Sequence, residues 1–285
     1  GKPYAVSRQR ATRGRDPNGS VALLDLNENR VHNPKDFFKA AGKFETTFNW
    51  HYADDKNIAY FSSGLLPIRA KGTDPSLPTL GTGKYDWKGW LPVMKHPHAA
   101  NPKSGIITNW NNKPAPGWGA ADSNYDQGSV QRVEGFVGFK KKNQLADVVS
   151  VMNSAASRDL RASMVWPDIA KVLKGGPAPR QVDQQAAALI DAWITRGADR
   201  LDRDLDGKID DPGAAVLDTA WPDLSRAILR PVLGDLLGQF ESLNGIDNKP
   251  GPGGSSFGGG WYSYIDKDLR TQLGEKVKAP YSRKY

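Results

Sequence analysis

The sequence predicts an α+β protein, with strands gathered in its first half and helices in its second. Up to residue 144, apolar residues alternate or run in short stretches between Gly, Pro and Asn, which is the pattern of strands and turns. From Leu145 onward they recur at spacings of three and four, the period of a helix. The change of period sets the expected division. Residues 1–144 form a strand-rich part, and 145–285 a helical region with an acidic loop and a Gly/Pro-rich tail.

Taken in order, Tyr4 to Ser7 and Val21 to Leu24 read as strands around an Arg-rich turn marked by Gly14 and Gly19. Asn33 and Pro34 open a helix, because Phe37, Phe38, Ala41 and Phe44 fall on one side of a 3.6-residue period. Residues 48–53 and 57–62 read as a hairpin around Asp54, Asp55 and Lys56. Residues 67–102 carry many prolines and glycines and read as a long ordered loop anchored by Tyr85, Trp87 and Trp90. Ile106 to Trp110 reads as a short strand, since Ile, Thr and Trp suit a pleated surface; Pro114 ends the run, and residues 131–139 read as another strand. Beyond Leu145, three helices are marked by Leu145, Val148 and Met152, by Trp166, Ile169 and Leu173, and by Ala186, Ile190 and Trp193. Further helix follows through Leu224, Ile228 and Leu237, with an interruption expected at Pro231 and a glycine-rich loop over 245–260.

At 285 residues, with 38% apolar content, the chain is long enough for a sizeable core in one or two domains. It holds no run of eighteen apolar residues, so no membrane-spanning helix is expected. It has no cysteine, which removes disulfides, thiolate zinc sites and a Cys nucleophile. The net charge of +8 is spread along the chain and not set on one helix or nucleic-acid motif, so it reads as a solvated basic face, with neither nucleic acid nor membrane as partner. The four histidines are scattered; His96 and His98 share a loop without a third ligand.

Chemistry concentrates at Asn109-Trp110-Asn111-Asn112. Amides are costly to bury without partners, so several at the end of an apolar run need a reason. One is an Asx turn in which the side chains bond their own backbone. The other is a polar site, where a neutral amide donor on a rigid element stabilises a developing oxyanion. A second concentration is Asp202-Arg203-Asp204-Leu205-Asp206-Gly207-Lys208-Ile209-Asp210-Asp211. Its carboxylates stand at positions 1, 3, 5 and 9 of an EF-hand-type loop, with Gly at 6, the Lys208 carbonyl at 7 and an apolar residue at 8. Gly213 occupies position 12, where such loops carry a bidentate Glu, so Asp210 or Asp211 has to substitute. The loop is either a weak calcium site or only an acidic turn.

Across about eighty residues the wording is more specific. Asn49-Trp50-His51-Tyr52-Ala53-Asp54, Asp74-Pro75-Ser76-Leu77-Pro78, Gly81-Thr82-Gly83-Lys84-Tyr85-Asp86-Trp87-Lys88-Gly89 and the asparagine segment follow one another in an order that resembles the β-chain of the penicillin acylase family, the N-terminal-nucleophile amidohydrolases. The resemblance implies an αββα sandwich to which the first half contributes. It also implies hydrolysis of the acyl side chain of an amide, of β-lactam, acyl-homoserine lactone or lipopeptide type. Asn111 matches the family's oxyanion-hole asparagine, Arg132 its site-closing arginine and Phe48 an acyl-pocket position. Asp122 and Pro75 match positions that hold its calcium. The family's nucleophile is the β-chain's first residue, a Ser with its own α-amino group as base. This sequence opens on Gly1, so the resemblance casts it as an internal piece of a β-chain. Such a piece is expected to be inert without the α-chain and remaining β-chain segments of the same precursor. The family's setting, periplasm or medium, is expected with it. The alternative is a non-catalytic, calcium-stabilised binding or scaffold domain.

Overall fold

The computed structural model describes residues 3–73, 78–110, 112, 114–115, 118, 133, 135–139, 142–177, 180–243 and 262–277. Two compact units divide the chain, Gly1–Ala120 and Ala121–Tyr285. The first holds the β-structure and the second is helical, so the fold is mixed α and β. No helix of the described residues is long and apolar enough to cross a membrane.

In the first unit, helix α1 (Gly19–Asn27) precedes α2 (Pro34–Ala41). Asn33 caps α2 by accepting the backbone N–H groups of Lys35 (2.9 Å) and Asp36 (3.0 Å), and Pro34 supplies a pre-set φ at the first helical position. Three strands follow: β1 (Asn49–Ala53), β2 (Ile58–Ser62) and β3 (His98–Ala100), antiparallel in the order β1-β2-β3. The β1–β2 turn closes on Asp54, whose carboxylate accepts the N–H groups of Lys56 (2.7 Å) and Asn57 (2.6 Å). The Tyr52 hydroxyl also donates to Asp54 at 2.6 Å. These bonds hold the Asp54 carboxyl well below the usual carboxylate range. Side chains alternate across the sheet. Trp50, Tyr52, Ala59 and Phe61 turn to one face and pack with Phe37 and Ala41 of α2. Asn49 and Tyr60 turn to the other.

The second unit contains α3 (Leu145–Ser157), a π-helical turn (Arg161–Val165) running into α4 (Trp166–Gly175), α5 (Gln181–Thr195), α6 (Pro212–Leu233), α7 (Leu236–Leu243) and α8 (Tyr262–Gln272). Its core is built from Trp193, Trp221, Leu217, Ile190, Val165 and Ile265, each at 1% exposure or less. The buried Asp159, Arg161 and Arg200 and the half-buried Asp218 form a charged quartet. The Arg161 Nη2 donates to Asp159 and to Asp218, both at 2.6 Å, and Arg200 donates to Asp159 (3.1 Å) and Asp218 (2.9 Å).

Several expectations from sequence are overturned. Val21 to Leu24 is helical, within α1. Tyr4 and Val6, at 88% and 91% exposure, belong to no strand, because no segment among the described residues offers them a ladder. Residues 106–110 are not a strand either; side-chain amides hold them instead. Gly135–Gly138, inside the expected strand over 131–139, is a 3₁₀ turn. Strand β3 lies within the stretch read as loop. Helix α6 runs through Pro222 and Pro231, and the break comes at Gly234, whose positive φ of 51° ends it before α7. Apolar side chains continue along α6 past each proline, Ile228 and Leu229 after Pro222 and Leu233 after Pro231, so packing outweighs the loss of a donor.

Candidate active site

The open face of the sheet, opposite α2, carries a cleft of about 200 Å³. Asn49, Tyr60 and Ala99 form its strand side, and Ile106, Asn109 and Asn112 line it from the following segment. The strand side follows from register. Asn49 pairs with Ser62, so Tyr60 is its diagonal neighbour on the same face, and Ala99 pairs directly with Tyr60. The Tyr60 hydroxyl donates to Asn49 Oδ1 at 2.5 Å. Asn49 Nδ2 then donates to Asn109 Oδ1 (3.3 Å) and to the Asn112 carbonyl (3.1 Å). Within the segment, the Trp110 N–H donates to Asn112 Oδ1 at 3.0 Å. Asn112 thus bonds the backbone locally, two residues before it and not two residues on as in an Asx turn, and the segment also lines a cleft. Burial pushes the Tyr60 phenol up to about 12, so it stays a donor through the neutral range. Burial likewise lowers His51, which meets Tyr60 edge-on at 5.5 Å.

Asn111, Arg132, Asp122 and Pro75 lie outside the described residues. Phe48 directly precedes β1, is 56% exposed and sets its ring edge against Trp50 at 5.9 Å. Asn49 and Tyr60 carry the cleft's polar network, yet the sequence reading gave them no role. The available signal was the period-2 alternation, which places Asn49 and Tyr60 together on the face turned away from Trp50 and Phe61.

In the acidic loop, Asp202, Asp204 and Asp210 bring carboxylate oxygens within 4.8 Å of one another. Leu205 and Gly207 both take positive φ (62° and 86°), the tight turn that the loop's glycine suits. The other residues named for it have different partners. Asp206 accepts the N–H of Lys208 (2.8 Å), and the Lys208 ammonium stands 3.6 Å from the same carboxylate. Asp211 caps α6 through the Gly213 N–H (3.0 Å) and pairs with Arg196 (2.7 Å). Asp210 itself receives the Arg203 guanidinium at 3.1 Å. Three carboxylates fit part of the shell of a hard cation, which takes six to eight oxygens.

The family profile of penicillin amidase matches residues 4–277. The chain belongs to the penicillin amidase family. It is 30% identical over 267 residues to penicillin G acylase of Escherichia coli, covering 88% of this chain and 30% of that protein. It is 28% identical over 167 residues to the acyl-homoserine lactone acylase QuiP of Pseudomonas aeruginosa, covering 55% of this chain and 18% of that one. The thermostable penicillin G acylase from Alcaligenes faecalis shares the fold. Its solved structure aligns with a TM-score of 0.71 at 24% identity, over 97% of this chain and 49% of that chain. The chain therefore spans from about a fifth to about half the length of these relatives.

Proposed function

We propose that this chain supplies the oxyanion-binding side of an acylase that cleaves the acyl side chain of an amide. What carries this is the cleft on the sheet's open face: a member of the penicillin amidase family lines it with the residues on either side of position 111 in sequence. In the proposed reaction the family's terminal Ser attacks the amide carbonyl. The carbonyl oxygen gains charge as the tetrahedral intermediate forms, and the Asn111 Nδ2–H donates to it. A neutral amide suits this task because it gains nothing from the uncharged ground state and does not titrate. Phe48 lines the acyl side, and Arg132 takes the bracing role that the resemblance gives it. The first unit contributes to the family's αββα sandwich, and the remaining segments of the precursor complete the enzyme. Amides of the penicillin or acyl-homoserine lactone kind are the proposed substrates, since relatives bear those names. The proposed setting is the periplasm or medium.

In the complete enzyme, Asn111→Ala is expected to lower kcat on a chromogenic phenylacetyl amide by about 10²–10³-fold, with KM nearly unchanged. An unchanged kcat would refute the reading.

The same proposal includes a calcium ion at Asp202, Asp204 and Asp210, with the Lys208 carbonyl as a fourth donor. With Asp206 and Asp211 turned elsewhere, affinity falls at the weak end, on the order of 10⁻⁴ M or poorer. Thermal unfolding in millimolar calcium is expected to lie above that in chelator. At a hundredfold excess over the dissociation constant the gain is about 2.7 kcal/mol, and Asp204→Ala abolishes it. A parent with no calcium-dependent shift means the loop is an acidic turn alone.

A further inference from the structure

The cleft's polar network reaches the asparagine segment from outside it. Asn49 sits at the first position of β1, paired across to Ser62 on the central strand. Its amide is oriented by one bond and spent on two. Tyr60 donates to the oxygen at 2.5 Å, which leaves the nitrogen facing the segment. One N–H goes to Asn109 Oδ1 at 3.3 Å and the other to the Asn112 carbonyl at 3.1 Å. These acceptors stand two residues before and one residue after position 111. Residues 106–110 are assigned to no strand, and the Asn49 side chain ties their end to the neighbouring sheet. The sheet is the rigid part: β2 is bonded on both sides, and its Phe61 is fully buried.

We propose that Asn49, oriented by Tyr60, is the positioning residue of the asparagine segment, fixing where the Asn111 amide is presented to the reacting carbonyl. This rests on the reading of Asn111 as the oxyanion donor. Asn49 holds backbone and side chain on both flanks of position 111 and contributes through them, without touching the substrate. A preorganised donor is effective only where it lies at hydrogen-bond distance from the oxyanion and not from the ground-state oxygen, so a displacement of about 1 Å lowers the rate without changing substrate affinity. Neither replacement of the Asn49–Tyr60 pair keeps the arrangement. Asn49→Asp offers only acceptors to two acceptors, and Tyr60→Phe keeps the ring but frees the Asn49 amide to turn over.

The test is steady-state kinetics of the complete enzyme on the phenylacetyl amide, with Asn49→Ala, Tyr60→Phe, Asn111→Ala and the Asn49→Ala/Asn111→Ala pair. Asn49→Ala is expected to lower kcat by about 10- to 100-fold with KM within about twofold, and Tyr60→Phe by a smaller factor in the same direction. In the Asn111→Ala background, Asn49→Ala is expected to cost nothing further, because a positioning residue has no effect once the group it positions is gone. Hydrogen exchange of 106–110 is expected to accelerate in Asn49→Ala while that of β2 stays the same, which separates loosening of the segment from unfolding of the sheet. If Asn49→Ala raises KM alone, leaves kcat unchanged, or multiplies with Asn111→Ala, Asn49 does not position Asn111 and the proposal falls. If Asn111→Ala itself retains full turnover, the oxyanion reading falls and takes this proposal with it.

Discussion

Asp159→Ala is expected to destabilise the helical unit by about 3–5 kcal/mol, the cost of removing one partner from a buried ion pair. Asp159 is fully buried, and its carboxylate accepts from Arg161 and Arg200, both 2% exposed. Without it the buried Arg161 and Arg200 guanidinium groups both lose a carboxylate acceptor, and a buried charge that loses its partner is costly. The quartet also ties distant parts of the chain together. Asp159 precedes the π-helical turn and Arg161 opens it, Arg200 follows α5 and Asp218 lies on α6, while the Arg161 guanidinium stands 5.6 Å from the Trp221 ring. Burial alone would raise the Asp159 carboxyl, but the charges of Arg161 and then Arg200 outweigh it and hold it below the ordinary value. The folded-state value is thus below that of the unfolded chain, about 3.9. The stabilisation is fully present above that value and is lost as pH falls through the folded value. Urea unfolding at pH 7, read at the helical signal, checks the magnitude. An unfolding free energy within a few tenths of a kcal/mol of the parent's would mean the quartet is a spectator. Repeating the measurement below pH 4 should show the gap between parent and variant narrowing.

Little of this quartet was legible in the sequence, and the reason is general. Periodicity reports which positions are apolar, and Asp159, Arg161, Arg200 and Asp218 read as solvated charges until the fold buries them together. The helices themselves were plain, because Trp166, Ile169, Ile190, Trp193 and Ile228 recur at the helical period and do form the core. The hairpin was plain for a similar reason: alternation around Asp54 specifies both the strands and the side chain that closes the turn. Val21 to Leu24 was misread because a four-residue apolar run fits a strand or a helix equally well. Ile106 to Trp110 was misread because β-propensity describes a surface, not a partner, and no partner strand exists among the described residues. The cleft was half legible. The asparagines drew notice as a group, but the residue that holds them, Asn49, lies sixty positions from Asn109 and only register brings it near. In the acidic loop the spacing was readable, whereas the diversion of Asp211 to a helix cap and to Arg196 depends on where α6 begins.

Gly213 is where that loop and the fold meet, and Gly213→Glu is expected to destabilise the helical unit strongly and not to complete a calcium site. Glu is what position 12 of an EF-hand-type loop asks for, and on sequence alone the change is an improvement. The structure gives position 213 a different duty. It is buried at the start of α6 where that helix crosses α5, and a Cβ there would stand 2.6 Å from the Leu189 carbonyl oxygen and 2.7 Å from Trp193 Cβ. No rotamer relieves contact with a backbone oxygen, so the helices have to part. Overpacking of this kind costs about 1–3 kcal/mol. Bringing a carboxylate to a buried position where two helices cross adds about 1–3 kcal/mol more. The sum, about 2–6 kcal/mol, is a large part of the stability of a domain of this kind, about 5–15 kcal/mol. Gly213→Ala isolates the first part with a decisive sign. Helix propensity alone would make alanine better by about 1 kcal/mol, whereas the contact predicts a loss. Thermal unfolding of both variants, in millimolar calcium and in chelator, separates the two views. Stabilisation by alanine, or a calcium-dependent rise in Tm for Gly213→Glu beyond the parent's, would show that α5 and α6 do not meet at this glycine.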